Sequence, residues 1–548
     1  MDDVRTDVAD AVVIGAGPNG LVAANDLAGR GWDVVVLEAE REPGGAVRSD
    51  EHLEPGFVSD RFSAFYPLGI VSPHLRRLAL EDWGLEWVRP PVTLAHPTEG
   101  GPAAVLSVDR HATAATLDQF APGDGDAWLA LQDEWDRIEE PLIASLMSPF
   151  PPLRAGARLA MAVGRRNAGV LARRALLSVR RMAEEHFGGA GGGLLLAGSA
   201  LHADLTPETA TSGFLGWLLA GIGQAHGWPV PRGGSSALTT AMARRLCAHG
   251  GEVRCQQRVD RIEVAGGRAV AVCTAGGERV VARRAVVADV VAPSLYRTLL
   301  DPTAVVGTRA VDLRTYQRGA ATFKVNWTLD GPVPWLDPAV GPAGTVHVAA
   351  SLDELTTTAA ELAMSRLPTD PFVLVGQMTT CDATRSPPGT ESLWAYTNVP
   401  QVIRSDGRGE LRDIEAPDDA ARFAARIEAR IERLAPGFMA LIRRRSIQTP
   451  GSMERADANL LGGDKSLGTA QVHQQLVFRP TIGLARAETP IAGLFLASGS
   501  AHPGGGVHGA CGANAARAAI AADGRRRVVD RVRRRHAVQP SAGVGQLR

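Results

Sequence analysis

The chain has 548 residues, a formal net charge of −1, 45% hydrophobic residues, 21% charged residues and 5% aromatics. That length spans roughly two to four domain-sized units of ordinary soluble composition, and with no global field and few stacking rings it speaks against nucleic-acid binding. The five cysteines (Cys247, Cys255, Cys273, Cys381, Cys511) form no CxxC, which excludes a dithiol redox pair of that spacing and gives neither a disulfide framework nor a zinc site; isolated cysteines fit a reducing cytosol.

Met1–Asp10 is polar and acidic, without the basic start and apolar run of a signal peptide. Ala11–Ile14 reads as a buried parallel strand. Gly15, Gly17 and Gly20 follow with GxGxxG spacing, Leu21–Leu27 continues as a helix, and Trp32–Leu37 is a second apolar strand ending at Glu38. Each part has a physical task in dinucleotide binding. Gly15 permits the tight turn, Gly17 lets the backbone approach a pyrophosphate, and Gly20 lets the helix pack on the sheet. The helix start, with Pro18 and Asn19, offers N–H groups and a positive dipole end to phosphates. Glu38 lies 23 residues after Gly15, suits a ribose diol and disfavours a 2′-phosphate. Ala39 follows it, and Gly44-Gly45-Ala46 comes shortly after, flanked by Arg41 and Arg48, either of which could face a phosphate.

Further along, Pro141–Ala183 holds no Asp or Glu but eight arginines: 154, 158, 165, 166, 173, 174, 180 and 181. Pairs recurring about every eight residues fit one face of a basic helix, suited to an anionic membrane surface or to a solvated cap on its own domain. Thr211–Trp228 is uncharged but broken by Gly213, Gly216, Gly221 and Gly223, and reads as a buried element near a pocket. Pro231–Leu238 opens a helical stretch, the alternation across 259–273 predicts a hairpin, and Arg284–Asp289 follows. Strands are predicted near 320–330, 345–350, 372–378 and 392–399, and a segment near 445–480, with Arg455 and His473, is placed at the pocket mouth. Gly493–Gly512 predicts a strand, a glycine-rich turn and a helix. The tail, Arg525–His536, has seven arginines and one aspartate and reads as a solvated end.

Taken together and in this order, these segments resemble the flavin amine oxidase and phytoene desaturase superfamily. The resemblance implies an α/β fold: a Rossmann-like, two-dinucleotide-binding-type FAD domain with an inserted mixed α+β substrate domain. It implies FAD as cofactor, with Gly44 and Gly45 against the flavin and its phosphates, Val259 meeting the adenine, and Gly499, Ser500, Gly505 and Val507 in the last flavin motif. Three departures separate the chain from amine oxidases: Ala46 where an arginine is usual, Gly499 where an acid is usual, and no Tyr or Trp after Tyr396 for an amine cage. The His502–Gly506 run is nearer the phytoene desaturase and carotenoid ketolase-like group, and within it nearest the subgroup called pyridine nucleotide-disulfide oxidoreductase domain-containing protein 2.

These observations set the expectations. The FAD domain takes 8–62, 228–300 and 485–524, the substrate domain 63–227 (helical) and 301–484 (mixed), and 525–548 is a basic tail. The flavin's N5 takes the hydride, so few side chains are needed for chemistry. The candidates are His502, His508 and Lys324, the last resembling a lysine that amine oxidases place near N5. No metal site is expected. The expected activity is dehydrogenation or desaturation of an apolar, isoprenoid-like substrate, with reoxidation by oxygen, quinone or another acceptor, no second GxGxxG lying in a βαβ context for NAD(P)H. Ketolase-like or amine-oxidase-like chemistry, and a structural FAD serving an isomerase or a regulatory partner, stand as alternatives. The expected location is the cytosol, with the arginine-rich segment either at a membrane surface or solvated on its own domain.

Overall fold

The computed structural model describes residues 6–305 and 312–537. β1 (Thr6–Ile14), α1 (Pro18–Ala28) and β2 (Val34–Leu37) form the βαβ unit that the glycine spacing predicts. Val12, Val13, Val34 and Val36 are wholly buried, because a parallel strand covered on both faces is apolar throughout rather than alternating. The chain returns to this sheet as β3 (Glu252–Arg254), the hairpin β4 (Val259–Ala265) and β5 (Arg268–Thr274), β6 (Arg279–Ala288) and, much later, β7 (Leu494–Leu496). The order is β4-β5-β6-β1-β2-β3, with β7 on the C-terminal half of β6. The parallel part, β3-β2-β1-β6-β7, reverses its direction of winding at the β1/β6 pair, where Ile14 lies opposite Ala288. Ligands of such sheets bind outside the carboxyl ends of the strands at that switch point.

A second sheet of seven strands runs in the order 442–448, 321–329, 391–399, 373–377, 343–348, 92–96, 104–106. The four strands predicted in the second half of the chain are among these. Strands 92–96 and 104–106 fall where the sequence reads as helical. Both are short and buried along almost their whole length, so they carry no alternation to announce them. On the edge of this sheet formed by 92–96 and 104–106 packs α4 (Ser212–His226); α2 (Asp124–Met147) packs on α4 and α3 (Leu153–Arg174) on α2, while α5 (Ala510–Ala537) lies on α1. The expected tail continues α5 as far as 537; its remainder and residues 306–311 lie outside the described residues.

The arginines of 154–181 do not share one helix face. Gly164, at φ 72° and ψ 157°, breaks α3 in the middle, and the chain turns again before a separate helix at Val179–His186. Arg174 is buried, bonded to Glu134 and set over the Trp217 ring at 4.9 Å. Arg173, Arg180 and Arg181 pair with Glu185, Glu208 and Glu184.

The glycine turn after β1 is fixed by close contact. A Cβ on Gly20 would lie 2.2 Å from the Gly15 carbonyl oxygen, and the Gly20 N–H donates to Asp289 Oδ2 at 2.8 Å. Gly20→Ala must therefore push α1 off the sheet. It is expected to lower the unfolding free energy of the flavin-free protein by about 1–3 kcal/mol, read by denaturant titration against the unsubstituted chain.

Candidate functional site

One continuous cavity of about 1100 Å³ runs from the switch point into the second sheet, more than a single drug-sized ligand needs. Its first end is lined by Gly15, Gly17, Pro18, Asn19, Glu38, Ala39, Gly45, Ala46 and Val259. Three observations test whether this end fits FAD. The N-cap residue of α1, Gly17, supplies no side-chain cap; the Gly20 N–H is taken by Asp289, and the helix dipole with the remaining first-turn amide is left for an anion. A Cβ on Gly45 would come 3.2 Å from the Gly17 Cα, so two bare backbones face each other where a pyrophosphate must pass. Asn19 Oδ1 is buried without a partner. Glu38 is held in place for a diol: Oε2 accepts from the Ala16 N–H at 2.6 Å and Oε1 from the Glu40 N–H at 3.0 Å. Burial holds its carboxyl above the usual range. The residues fit the group, and the flavin end follows through Gly505 and Val507.

The far end is built from the second sheet and the helices. Lys324 points inward from strand 321–329, is 2% exposed, and donates to the carbonyls of Asp60 at 2.5 Å and Phe62 at 3.1 Å. Burial brings its ammonium down to about 7. On the neighbouring strand Trp394 and Tyr396 stack at 5.9 Å with 19° between their planes. Lys324 Nζ stands 5.3 Å from the Trp394 ring centre, and Lys465 Nζ 5.2 Å from that of Tyr396. Lys465 also pairs with Asp204. Beyond them the wall is apolar: Ile143, Leu146 and Met147 from α2, then Phe214, Leu215 and Leu218 from α4. The glycine-broken segment 211–228 is thus a buried helix against the cavity, as its composition suggests.

Several candidates lie behind the lining rather than on it. Gly20 and Gly44 shape the turn, and Gly499 offers no surface because its carbonyl is held by Arg479 Nε at 2.8 Å. Ser500 Oγ accepts from the Ala292 N–H at 3.0 Å. Arg48 turns away from the phosphate path, with Nε on the Gly45 carbonyl at 2.9 Å and a second nitrogen on the Ala456 carbonyl at 2.5 Å; Arg41 is exposed. His502 and His508 do line the cavity. His508 Nδ1 accepts from the Ala510 N–H at 3.0 Å, and burial takes it down to about 4, so it is a neutral residue shaping the start of α5. His502 Nε2 bonds the Ser148 carbonyl at 3.0 Å, while its Nδ1 is buried and unpartnered; burial lowers its pKa. In the 445–480 segment, Met453, Asp457 and Leu467 line the cavity, whereas Arg455 and His473 do not.

Sequence reasoning passed over Asp289, Asp457, Arg479 and His202. Asp289 is signalled only as the residue that ends β6. Burial raises its carboxyl to about 7. Arg479 is 1% exposed and donates to the carbonyls of Gly499, Thr469 and Ser466, a pattern no spacing announces. His202 Nε2 lies 2.9 Å from His347 Nε2, so one proton serves both rings.

Fold and cavity together define a flavoenzyme: a dinucleotide groove at a topological switch point that opens into a substrate chamber. The chain belongs to the flavin containing amine oxidoreductase family, whose profile matches residues 19–413. Among curated relatives it is 27% identical to pyridine nucleotide-disulfide oxidoreductase domain-containing protein 2 of Mus musculus, over 92% of each chain. It is 25% identical to one of the polypeptides of limonene dehydrogenase from Castellaniella defragrans, over 93% of this chain and 94% of that one. With a lycopene-forming phytoene desaturase of Pseudescherichia vulneris it shares 26% identity over 91% of this chain and 96% of the other. A solved putrescine oxidase structure superposes with a TM-score of 0.60 at 18% identity, covering 95% of this chain and 100% of that one, which shows the shared fold.

Two outcomes follow for this site. Glu38→Ala removes a charged acceptor from the ribose position and is expected to weaken FAD binding about ten- to a hundredfold, measured as quenching of flavin fluorescence on titration into the stripped protein. Lys324 binds its proton less readily in the folded chain, at about 7, than in the unfolded one, near 10.4. The unfolded state therefore holds more protons between those values, and the cost of the buried charge fades as pH rises through that window. The unfolding free energy of the unsubstituted chain should gain on Lys324→Met by up to about 1.4 kcal/mol per pH unit between pH 7 and 9; parallel pH profiles would contradict the assignment.

Proposed function

We propose that this enzyme dehydrogenates C–H bonds of an apolar, isoprenoid-like substrate, passing the electrons on to oxygen, a quinone or another acceptor. The observation that carries this reading is the occupancy of the aromatic faces in the chamber. An amine oxidase must leave aromatic faces open to its substrate's nitrogen. Here Lys324 and Lys465 already stand against Trp394 and Tyr396, so neither face is open to a cationic amine. The apolar wall from α2 and α4 suits a hydrocarbon instead. Two of the relatives bear names of enzymes acting on isoprenoid hydrocarbons, limonene and phytoene, which supports the same class.

When bound, FAD supplies a hydride acceptor at its N5. The chain's own part is to seat the substrate and manage the proton that leaves with the second hydrogen. The helices exclude water around the apolar portion of the substrate. Lys324 Nζ, brought down to about 7 by burial, is neutral in part of the population near neutral pH and takes that proton there. His508, at about 4, is too weak a base for the task.

Anaerobic mixing tests the reading. Oxidised-flavin absorbance of the purified protein should bleach with isoprenoid hydrocarbons and persist with primary amines, and the product should be two hydrogens lighter. Bleaching by amines alone, or a product that has gained oxygen, would overturn it.

A further inference from the structure

We infer that the face carrying α3 and segment 472–482 is a docking surface for an anionic lipid bilayer, placed where the chamber opens. Three independent features carry this. The first is α3 itself. Of its 22 residues only Arg174 is buried, although Leu159, Val163 and Leu171 rest against the main core. Its outer side leaves Leu153 at 77% and Met161 at 74% exposure. Large apolar side chains left in water over about two turns mark a contact surface rather than a finished exterior.

The second is the second apolar strip. Ile482 is 82% exposed, and Val472, Leu476 and Phe478 are each more than 40% exposed. The chain before α3 and the segment both approach the 502–504 turn: the Phe150 ring lies 6.1 Å from the His502 ring, and the Arg479 guanidinium is 3.3 Å from where a Cβ of Gly504 would stand. Leu176 just beyond α3, and Val472 and Leu476 in the segment, are at once exposed and part of the cavity lining. An apolar molecule leaving this face would pass directly into the chamber.

The third is charge. Arg173, Arg174, Arg180 and Arg181 are consumed by ion pairs. Arg154, Arg158, Arg165 and Arg166 are exposed and make no ion pair among the described residues. On the first half of α3, Arg154 and Arg158 flank Met161 on the same outward side, so their stems can lie along apolar surface while the heads reach outward. A second protein copy would need acids to meet these charges. Phosphate headgroups above an apolar layer meet charge and apolar surface together. No described helix is long and apolar enough to cross a bilayer, so the contact is with one leaflet. The proposal does not depend on the substrate reading, because binding is measured without turnover.

The test is co-sedimentation of the intact flavin-loaded protein with vesicles of phosphatidylcholine alone or mixed with phosphatidylglycerol. Binding is expected to the mixed vesicles, to weaken with salt, and to fall about fivefold for each arginine removed from the set 154, 158, 165 and 166, taking about 1 kcal/mol per charge near an anionic surface. Met161→Asp with Ile482→Asp should abolish the remainder. These side chains are exposed, and an unchanged melting temperature and flavin spectrum will show that the variants fold. Arg525→Ser with Arg531→Ser, in the basic C-terminal helix, should leave binding intact. No sedimentation with either vesicle, binding lost only in the C-terminal variant, or a dimer in solution that is broken by Met161→Asp would each overturn the proposal.

Discussion

The bond from the Gly20 N–H to the buried Asp289 carboxylate, 2.8 Å long, is the constraint on which the rest of the molecule hangs. Gly20 lies in the first turn of α1 and Asp289 directly after β6, so the bond locks the glycine turn over the switch point of the sheet. The main chain of Asp289 extends the lock. Its N–H donates to the Ile14 carbonyl at 2.8 Å, and its carbonyl accepts from Asn459 Nδ2 at 3.0 Å. Asn459 Oδ1 in turn accepts from the Val291 N–H at 2.8 Å. Three chain segments far apart in sequence thus meet within one residue of each other. A buried carboxylate is costly, and the positive end of α1 offsets part of that cost.

A second buried hub joins the two sheets. Asp60 is wholly buried, bonding Arg385 at 3.0 Å and accepting from the Ser235 N–H at 2.9 Å. Arg385 also reaches Asp382 at 3.1 Å, and Asp382 accepts from the Gly233 N–H at 2.7 Å. The Asp60 carbonyl is one of the two that hold Lys324. The position of the chamber's central ammonium is therefore set by the same cluster that binds the Gly233–Ser235 turn to the second sheet. Removing either partner of such a group would leave an unpaired buried charge, which is far more damaging than the pair is stabilising.

Much of this was readable in the sequence, and what was readable shares a physical reason. The glycines at 15, 17 and 20, the acid at 38 and the 259–273 alternation are local constraints: each acts through its own backbone or its immediate neighbours. The strands at 321–329 and 391–399 announce themselves by β-branched and aromatic composition. What stayed hidden is non-local. Arg479 acts on carbonyls 10 and 20 residues away, and Lys465 reaches a ring on a strand nearly seventy residues earlier. The arginine run misled in a specific way: the spacing ignores Gly164, whose positive φ ends the helical phase, and it ignores the acids of other segments that claim Arg173, Arg174, Arg180 and Arg181. The absence of Tyr and Trp after Tyr396 pointed away from an amine cage, but it was silent about the earlier pair, Trp394 and Tyr396, and about the lysines that cover their faces.

The charges along the cavity divide its work. At the dinucleotide end the buried ionisable groups of the lining are acids, Glu38, Asp289 and Asp457, each held above its ordinary pKa by burial. The arginine nearest the turn, Arg48, is spent on backbone carbonyls. A pyrophosphate seated there is met by backbone N–H groups and a helix start rather than by mobile cations. Such groups are fixed by the fold before the ligand arrives and lose little freedom on binding. At the chamber end the order is reversed: the cations are Lys324, Lys465 and Arg479, and the surrounding wall is hydrocarbon. That end offers mainly apolar contact beside these three groups. The dinucleotide end is thus shaped by backbone geometry, and the chamber end by side chains brought together from distant segments.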